Sequence, residues 1–328
     1  MTRKIFRSLD EACEAVGVDP HSCRATSRRW AIADVLGDPH GKGDARIRLF
    51  DDDKGGVVWN WKLSDGDQCA VFFTGQGSRR EIEHYIETKF AQSQMMDSAE
   101  HKAMRKFAQR VYDGSDQIEG RSDHGYLLRK NVDPARYVRK ISARRLNSLL
   151  PQLRGQFSED GTLLVLPAVS SDVSDKPLKL WSLQFIAEDG AKRFLRHGRM
   201  RGCFCPLNGL PRITDRFSPD IHLVIGEGFA TVQSVVQRSI ERACGVVAFS
   251  CHGLIHVAQS LRARYPNALI TILGDVGNGS EQAKKAAILS NGAVFFPEFS
   301  QGQIAHFREA HGKVPTDWND FYEVAQYV

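Results

Sequence analysis

The sequence predicts an α/β protein that ends in a parallel sheet flanked by helices, preceded by an antiparallel α+β module and a small N-terminal α+β domain. Three observations support this fold class. Strand-like apolar runs alternate with helical segments after residue 219, strand patterns fill residues 162–195, and a β-rich stretch precedes residue 78. Strands separated by helices pair in parallel, whereas strands joined by short turns pair antiparallel. The expected domains are 1–115, 116–218 and 219–328.

Length and composition agree with a folded protein of this kind. The 328 residues leave room for two or three domains, and the 42% apolar and 25% charged residues are ordinary for folded chains. No apolar run approaches the roughly 20 residues of a membrane span. The basic N-terminus is not followed by the apolar segment of a secretory signal. We therefore expect a cytoplasmic protein without a membrane partner.

The N-terminal domain is expected to contain a short helix and several strands. Ser8 and Glu11 have the spacing of a capping box, and Gly17 is a typical stop, so a helix is expected over 8–18. Residues 28–75 are β-rich, with a hairpin turn at 53–56. Trp59 and Trp61 share one face of the returning strand. We expect them in the core, and a surface on which bases stack is the alternative.

A long helix and an antiparallel module are expected next. Ser78 caps an amphipathic stretch over 78–113, with a break expected near residues 93 and 94, and a linker follows up to residue 120. A short helix from His124 to Asn131 precedes three strands. These strands are predicted at 162–167, 179–186 and 192–195.

Strands and helices alternate regularly in the C-terminal domain. Each apolar run is short enough for a strand that is buried on both faces, and each intervening segment has the length of a helix. The strands are predicted at 222–225, 245–249, 268–273 and 292–296, and the helices at 230–243, 254–265 and 280–290.

Acidic residues follow three of these strands. Glu227 follows the first strand, Asp275 follows the third, and Asp317 and Asp320 come after the fourth. Ligands of open parallel sheets gather outside the carboxyl ends of the strands, so these carboxylates are expected to converge. Oxygen ligands suit Mg²⁺ or Mn²⁺, which would neutralise phosphate charge. For a single glutamate, a structural role in a cap or an ion pair is the alternative.

Two basic runs suggest a nucleic-acid partner. Residues 121–154 contain nine Lys or Arg and two Asp, and residues 192–216 contain seven and one. Such clusters neutralise a phosphate backbone, although solvated surface is the alternative. The candidate residues for binding nucleic acid or nucleotides are Arg129, Lys130, Arg139, Lys140, Arg144, Arg145, Lys192, Arg193, Arg196, Arg199 and Arg201.

Several of these segments resemble one protein family. Residues 226–231, Gly-Glu-Gly-Phe-Ala-Thr, are similar to the Glu-Gly-Tyr-Ala-Thr-Ala motif of Toprim domains in plasmid- and phage-encoded DNA primases. Residues 124–132 resemble the segment before the central module of those primases, and Asp317-Trp-Asn-Asp320 matches their terminal Asp-(aromatic)-Asn-Asp signature. The resemblance spans about residues 124–320.

The resemblance implies an enzyme that makes RNA primers from ribonucleoside triphosphates on single-stranded DNA. It also implies that Glu227 acts in acid–base chemistry and that Asp275 is the first residue of an Asp-x-Asp that binds Mg²⁺. The sequence departs from the family pattern in two places. Asp275-Val-Gly277 lacks the second aspartate, and Ser250-Cys-His-Gly253 stands where related sequences often carry Asp-Ala-Gly-Asn.

Three functions therefore follow as alternatives. The first is a Mg²⁺-dependent primase, the second is a catalytically impaired Toprim protein that binds DNA or a replication partner, and the third is a Toprim nuclease. The sequence contains no GxxxxGK[ST] motif of the kind that a fused helicase would need. Any unwinding is accordingly expected from a separate helicase.

Overall fold

A computed structural model describes residues 5–26, 30–38, 42–63, 69–150, 160–170, 176–238, 243–277 and 279–325, with only the backbone described at 93, 94 and 96. The chain divides into two compact units, Met1–Asp97 and Ser98–Val328. We call them the N-terminal and the C-terminal unit. No helix in the described ranges is both long and apolar enough to cross a membrane. The finer division into three domains stays a prediction.

The N-terminal unit is a six-stranded sheet with helices on both faces. Its strands lie in the order β1-β6-β5-β4-β3-β2, and every pair is antiparallel except β1 with β6. One face packs against α1, and the other packs against the first turns of α2. The elements are β1 Ile5–Phe6, α1 Leu9–Ala15, β2 Arg24–Ala25, β3 Trp30–Ala33, β4 Ala45–Leu49, β5 Gly55–Asn60, β6 Cys69–Phe73 and α2 Arg79–Asp113, which continues into the C-terminal unit.

The expectations for this region are largely confirmed. The side chain of Ser8 caps α1 by accepting a hydrogen bond from the backbone of Glu11. The expected break in α2 is wrong, because the helix continues through residues 93 and 94, and residues 89–110 contain neither Gly nor Pro. Trp59 is half-buried against the core under α2, as expected. Trp61 lies beyond the end of β5 and is exposed, so its expected core position is wrong.

The C-terminal unit contains two sheets. Its elements are α3 Gly125–Lys130, β7 Arg139–Ser142, α4 Ala143–Leu149, β8 Thr162–Ser170, β9 Lys179–Ala187, β10 Lys192–Phe194, β11 Cys205–Pro206, β12 His222–Gly226, α5 Phe229–Val236, β13 Ala243–Val247, α6 Cys251–Arg264, β14 Leu269–Leu273, α7 Ser280–Ser290, β15 Ala293–Phe295, α8 Gln301–His311 and α9 Trp318–Val324. The first sheet has the antiparallel order β10-β9-β8-β7, and the second has the order β11-β13-β12-β14-β15. Strands β13, β12, β14 and β15 are parallel, and β11 adds an antiparallel edge.

The two sheets share a buried core, and this core positions the site. Leu164 and Ile186 of the antiparallel sheet pack in one cluster with Val224 and Phe229 of the parallel sheet and its first helix. The other face of the parallel sheet is covered by α6 and α7. The parallel sheet is therefore buried on both faces, as its continuous apolar strands predict.

Most predicted elements of this unit are confirmed. The strands β9, β10, β12, β13, β14 and β15 and the helix α7 lie within two residues of the predicted bounds. Strand β8 continues three residues beyond its predicted end, and α6 begins three residues before its predicted start. Helix α5 ends at Val236, earlier than predicted, and the predicted stretch 239–242 lies outside the described residues. The elements β7, α4, β11, α8 and α9 were not predicted. Because of α8 and α9, Asp317 and Asp320 belong to a helix start and do not follow a strand directly, which corrects their expected placement.

Candidate functional site

A cavity of about 360 Å³ opens in the C-terminal unit beside the start of α5. Four segments form its walls: α3, the turn between β9 and β10, the first turn of α5, and the region from the end of α8 into α9. Its lining contains four Lys or Arg and four Asp or Glu side chains. These charged residues are Arg129, Lys130, Lys192, Lys313, Asp189, Asp317, Asp320 and Glu323.

Glu227 lies in a tight turn at the carboxyl end of β12. A Cβ on Gly226 would lie 2.8 Å from Val232, so the strand end packs closely on α5. The backbone of Cys251 donates a hydrogen bond to the Glu227 carboxylate. Gly279 faces the same carboxylate, because a Cβ there would lie 3.0 Å from Glu227 Oε1. The side chain is thus enclosed by the starts of α6 and α7.

Burial raises the pKa of Glu227 to about 7. Removal of water from around a carboxylate disfavours its charged form, and here the backbone hydrogen bond and the charge of Lys192 offset only part of that penalty. A carboxyl that titrates near neutral pH is suited to proton transfer, because both of its protonation states are accessible. An acid–base role for Glu227 stays a prediction.

Asp275 is the second half-buried carboxyl, two residues beyond the end of β14. Its Oδ1 atom is buried and has no hydrogen-bond partner in the described part of the chain. Burial and the charges of Glu227, Asp317 and Asp320 together raise the pKa of Asp275 to about 7, and the charge of Lys192 offsets part of this effect. Asp275 therefore interacts electrostatically with the other three predicted carboxylates.

Lys192 of β10 is the cation that faces this group. Its ammonium interacts with the carboxylates of Asp317, Asp275 and Glu227. Lys192 is exposed within the cavity, yet the surrounding protein desolvates its ammonium, and this together with the charge of Lys130 lowers its pKa.

Asp317 and Asp320 also have structural roles at the start of α9. Asp317 Oδ1 accepts a hydrogen bond from the Asp320 backbone at 2.9 Å, and Asp320 Oδ2 accepts one from the Thr316 backbone at 3.0 Å. Asp320 Oδ1 lies 3.7 Å from Lys130 Nζ. In the described residues, no three His, Cys, Asp or Glu side chains are arranged to hold a metal ion. Metal binding by the four carboxylates stays a prediction.

Asn319 joins α9 to the rest of the site. Its buried amide donates to the Lys130 backbone carbonyl at 2.7 Å and to Ser234 Oγ at 2.8 Å. The first bond fixes the end of α3 and the second fixes α5. The Asp-Trp-Asn-Asp segment thus holds three walls of the cavity together.

Replacing Asn319 with alanine is expected to reduce the free energy of unfolding by about 2–4 kcal/mol, because two buried acceptors lose their donor. Urea unfolding followed by circular dichroism measures the change. Asn267→Ala is the matched control, since the exposed Asn267 amide makes one hydrogen bond, to the Phe217 carbonyl. Equal losses in the two variants would contradict this role of Asn319.

Only three of the eleven predicted basic residues line the cavity: Arg129, Lys130 and Lys192. Two others are partly neutralised by ion pairs, Lys140 with Asp123 at 2.8 Å and Arg145 with Asp116 at 3.5 Å.

The remaining predicted residues lie elsewhere in the C-terminal unit. Arg139 packs 4.3 Å above the Tyr112 ring. Arg144 lies 3.9 Å from Asp160, and both of these side chains are largely exposed. The last four lie in β10 or in the loop that follows it: Arg193, Arg196, Arg199 and Arg201.

Several polar residues of the cavity were not predicted, among them His311 and Lys313. They lie at the end of α8, and His311 pairs with Glu323 at 2.6 Å. Gly312 lies between them, has a positive φ of 68° and ends the helix. A glycine at this point is a local sequence sign of a helix end, but it does not indicate a binding site. Nothing in the sequence places the end of α8 at the cavity that α3 also lines, so this placement is a product of the tertiary fold.

Comparison with known proteins relates part of the chain to primases. No family model matches it. A DNA primase TraC of Escherichia coli is 32% identical over 172 residues, which is 49% of this chain and 15% of the relative. Another TraC primase of the same species is 32% identical over 158 residues, 45% of this chain and 10% of that protein. About half of the chain is thus homologous to DNA primase TraC, and the chain spans only a small part of these relatives.

Among solved structures, the primase fragment of the bacteriophage T7 primase-helicase protein aligns over 90% of this chain and 95% of its own. The sequence identity is 9% and the TM-score is 0.38.

Proposed function

We propose that the chain is a primase-like nucleotidyltransferase that synthesises RNA primers on single-stranded DNA with Mg²⁺ or Mn²⁺. The observation that carries this proposal is the coupling of Glu227, Asp275 and Lys192 beside a cavity with further cations. The homology of about half the chain to DNA primase TraC supports the same function. Unwinding of a duplex template would require a separate helicase.

The side chains present fit a divalent cation that prefers oxygen ligands. Asp275 Oδ1 is a buried acceptor without a donor, and its carboxylate is destabilised by the charge of Glu227. A cation shared by the two carboxylates would give Asp275 Oδ1 a partner and would reduce the repulsion between Asp275 and Glu227. Mg²⁺ is usually held by one or two carboxylates together with water and substrate phosphates, so a third protein ligand is not required. When bound, the ion would neutralise charge that develops on the transferred phosphate.

The remaining steps use side chains of the chain itself. Lys192, Arg129 and Lys313 would bind the triphosphate of the incoming nucleotide from three walls of the cavity. The 3′-hydroxyl oxygen would attack the α-phosphorus, and pyrophosphate would leave as its bond to that phosphorus breaks. A carboxylate oxygen of Glu227 would accept the hydroxyl proton, since even without a metal ion the pKa of about 7 leaves much of this carboxyl ionised at neutral pH. Asn319 would hold the walls of the cavity in position through its hydrogen bonds to α3 and α5.

A synthesis assay tests this proposal. The full chain is incubated with labelled ribonucleoside triphosphates, single-stranded DNA of several sequences and Mg²⁺ or Mn²⁺, and the products are separated on a denaturing gel. Template-dependent RNA products of a few nucleotides are expected. Shortened DNA without RNA products would instead identify a nuclease.

A DNA-binding module without catalysis is the second candidate. It is favoured by the capping roles of Asp317 and Asp320, which leave fewer free carboxylate oxygens for a metal ion. In that case the chain would bind single-stranded DNA with the same affinity in EDTA and in Mg²⁺. Glu227→Gln would also leave that affinity unchanged.

A further inference from the structure

An exposed aromatic side chain ends the strand that carries Lys192. Phe194 is the last residue of β10, and 38% of its surface is exposed. Phe194 pairs with Gln184 of β9, and Lys192 pairs with Ile186. Residues two apart in a strand point to the same face, so Phe194 shares the face of Lys192, about 7 Å further along. That face carries Ile186, which packs in the core shared by the two sheets.

Phe249 holds Phe194 from the parallel sheet. The two rings meet edge to face, with centroids 5.8 Å apart and an interplanar angle of 86°. Phe249 follows β13 on the edge that carries Glu227, and its φ is 70°. A positive φ is uncommon for a bulky residue, and such strained positions are concentrated at functional sites. The geometry therefore presents an aromatic surface at the carboxyl edge of the sheet.

A rigid basic loop continues from Phe194. Residues 192–201 contain five Lys or Arg and no acidic residue. The loop packs directly on β9, because a Cβ on Gly198 would lie 2.2 Å from Ser182 Oγ. Arg199 lies 4.7 Å above the ring of Trp181, and His197 pairs with Glu100 at 3.0 Å. These contacts fix the loop before any ligand binds.

We propose that Phe194, supported by Phe249, is a stacking surface for a nucleobase, and that the loop over residues 195–201 binds phosphates of the same ligand. A flat aromatic side chain beside a run of cations matches a molecule that has both a π-face and negative charge. The identity of the ligand rests on the proposed function. The base belongs either to the DNA strand or to a ribonucleoside triphosphate.

Binding without catalysis tests this inference. The affinity of the full chain is measured in EDTA by fluorescence anisotropy for a single-stranded oligonucleotide and for an abasic oligonucleotide of the same length. Wild type is expected to prefer the DNA with bases roughly five- to a hundredfold, the range for one stacked base. Phe194→Ala is expected to remove most of that preference, and Phe194→Trp is expected to keep it. Phe217→Ala is the matched control, because Phe217 is an exposed phenylalanine in the same unit and lies beside a basic side chain, Arg216.

A second measurement identifies the source of the base. The affinity for ATP and for GTP is determined by equilibrium dialysis with the same variants. Loss of nucleotide affinity in Phe194→Ala with an unchanged preference for DNA bases would assign the surface to the nucleotide, and the reverse would assign it to the DNA strand. If folded Phe194→Ala changed neither quantity, the inference would be wrong. Because neither measurement requires synthesis, failure of the primase assay would leave this result interpretable.

Discussion

Glu227→Gln is expected to lower ribonucleotide incorporation on single-stranded DNA roughly 10²–10⁴-fold, the range for loss of a general acid or base. Glutamine has nearly the same shape, but it cannot take up a proton near neutral pH. Glu227 is the carboxyl at the strand end whose pKa is raised to about 7 by burial. The expected loss is therefore in the chemical step. Rates of primer synthesis at saturating nucleotide and DNA measure it.

Two controls keep this prediction specific. Glu281→Gln removes an exposed carboxylate of α7, which pairs with Lys284 at 2.8 Å, and it is expected to leave the rate unchanged. The affinity of Glu227→Gln for single-stranded DNA is expected to stay within about twofold of wild type, because Glu227 is not among the predicted phosphate-binding residues. Synthesis by Glu227→Gln at the wild-type rate would contradict an acid–base role.

Asp275→Asn is expected to make the metal-free protein more stable at pH 8 and to have less than half of that effect at pH 5, which is about one pH unit above the pKa of an unfolded aspartate. The folded-state pKa of Asp275 is raised to about 7, whereas an unfolded aspartate titrates near 4. Between these values the folded state holds a proton that the unfolded state has lost, so this carboxyl lowers stability as pH rises from about 4 to about 7. The asparagine variant lacks that loss, which amounts to roughly 2–4 kcal/mol at about 1.4 kcal/mol per pKa unit.

Thermal unfolding at both pH values, with EDTA or with Mg²⁺, measures this effect. Mg²⁺ is expected to stabilise wild type at pH 8, by about 2.7 kcal/mol at a hundredfold excess over Kd, and to stabilise Asp275→Asn much less. Asp220→Asn, which removes an exposed carboxylate in the same unit, is the control and is expected to behave as wild type. A variant that is less stable than wild type at pH 8 without metal would show that Asp275 is not under electrostatic strain.

The strands of the C-terminal unit were predictable because their patterns are strong and local. β9 alternates apolar and polar residues over 181–185, and β12 and β14 are short apolar runs bounded by turns, so local patterns identified them. Helix α9 was missed for a physical reason. It has seven residues, and the spacing of Asp317 and Asp320 that we interpreted as metal ligands is also the spacing of an N-terminal helix cap.

The candidate site was only partly predictable from sequence. Glu227 and Asp275 follow strands of one parallel sheet, and that topology makes them neighbours. The partners of the basic residues were not predictable, because β7 brings Lys140 to Asp123 through contacts that no local pattern encodes. The same holds for Lys313, which reaches the cavity from the loop after α8.

We propose that Glu227 and Asp275 together bind a divalent cation, which in turn binds a phosphate group of the substrate. A crystal of the full chain, soaked in Mn²⁺ at pH 8 so that both carboxyls are ionised, tests it most directly. We expect an anomalous scattering peak in contact with Asp275 Oδ1 and a carboxylate oxygen of Glu227, and no such peak in crystals of Asp275→Asn. Mn²⁺ bound only elsewhere, or an empty position between these two side chains at saturating Mn²⁺, would contradict the claim.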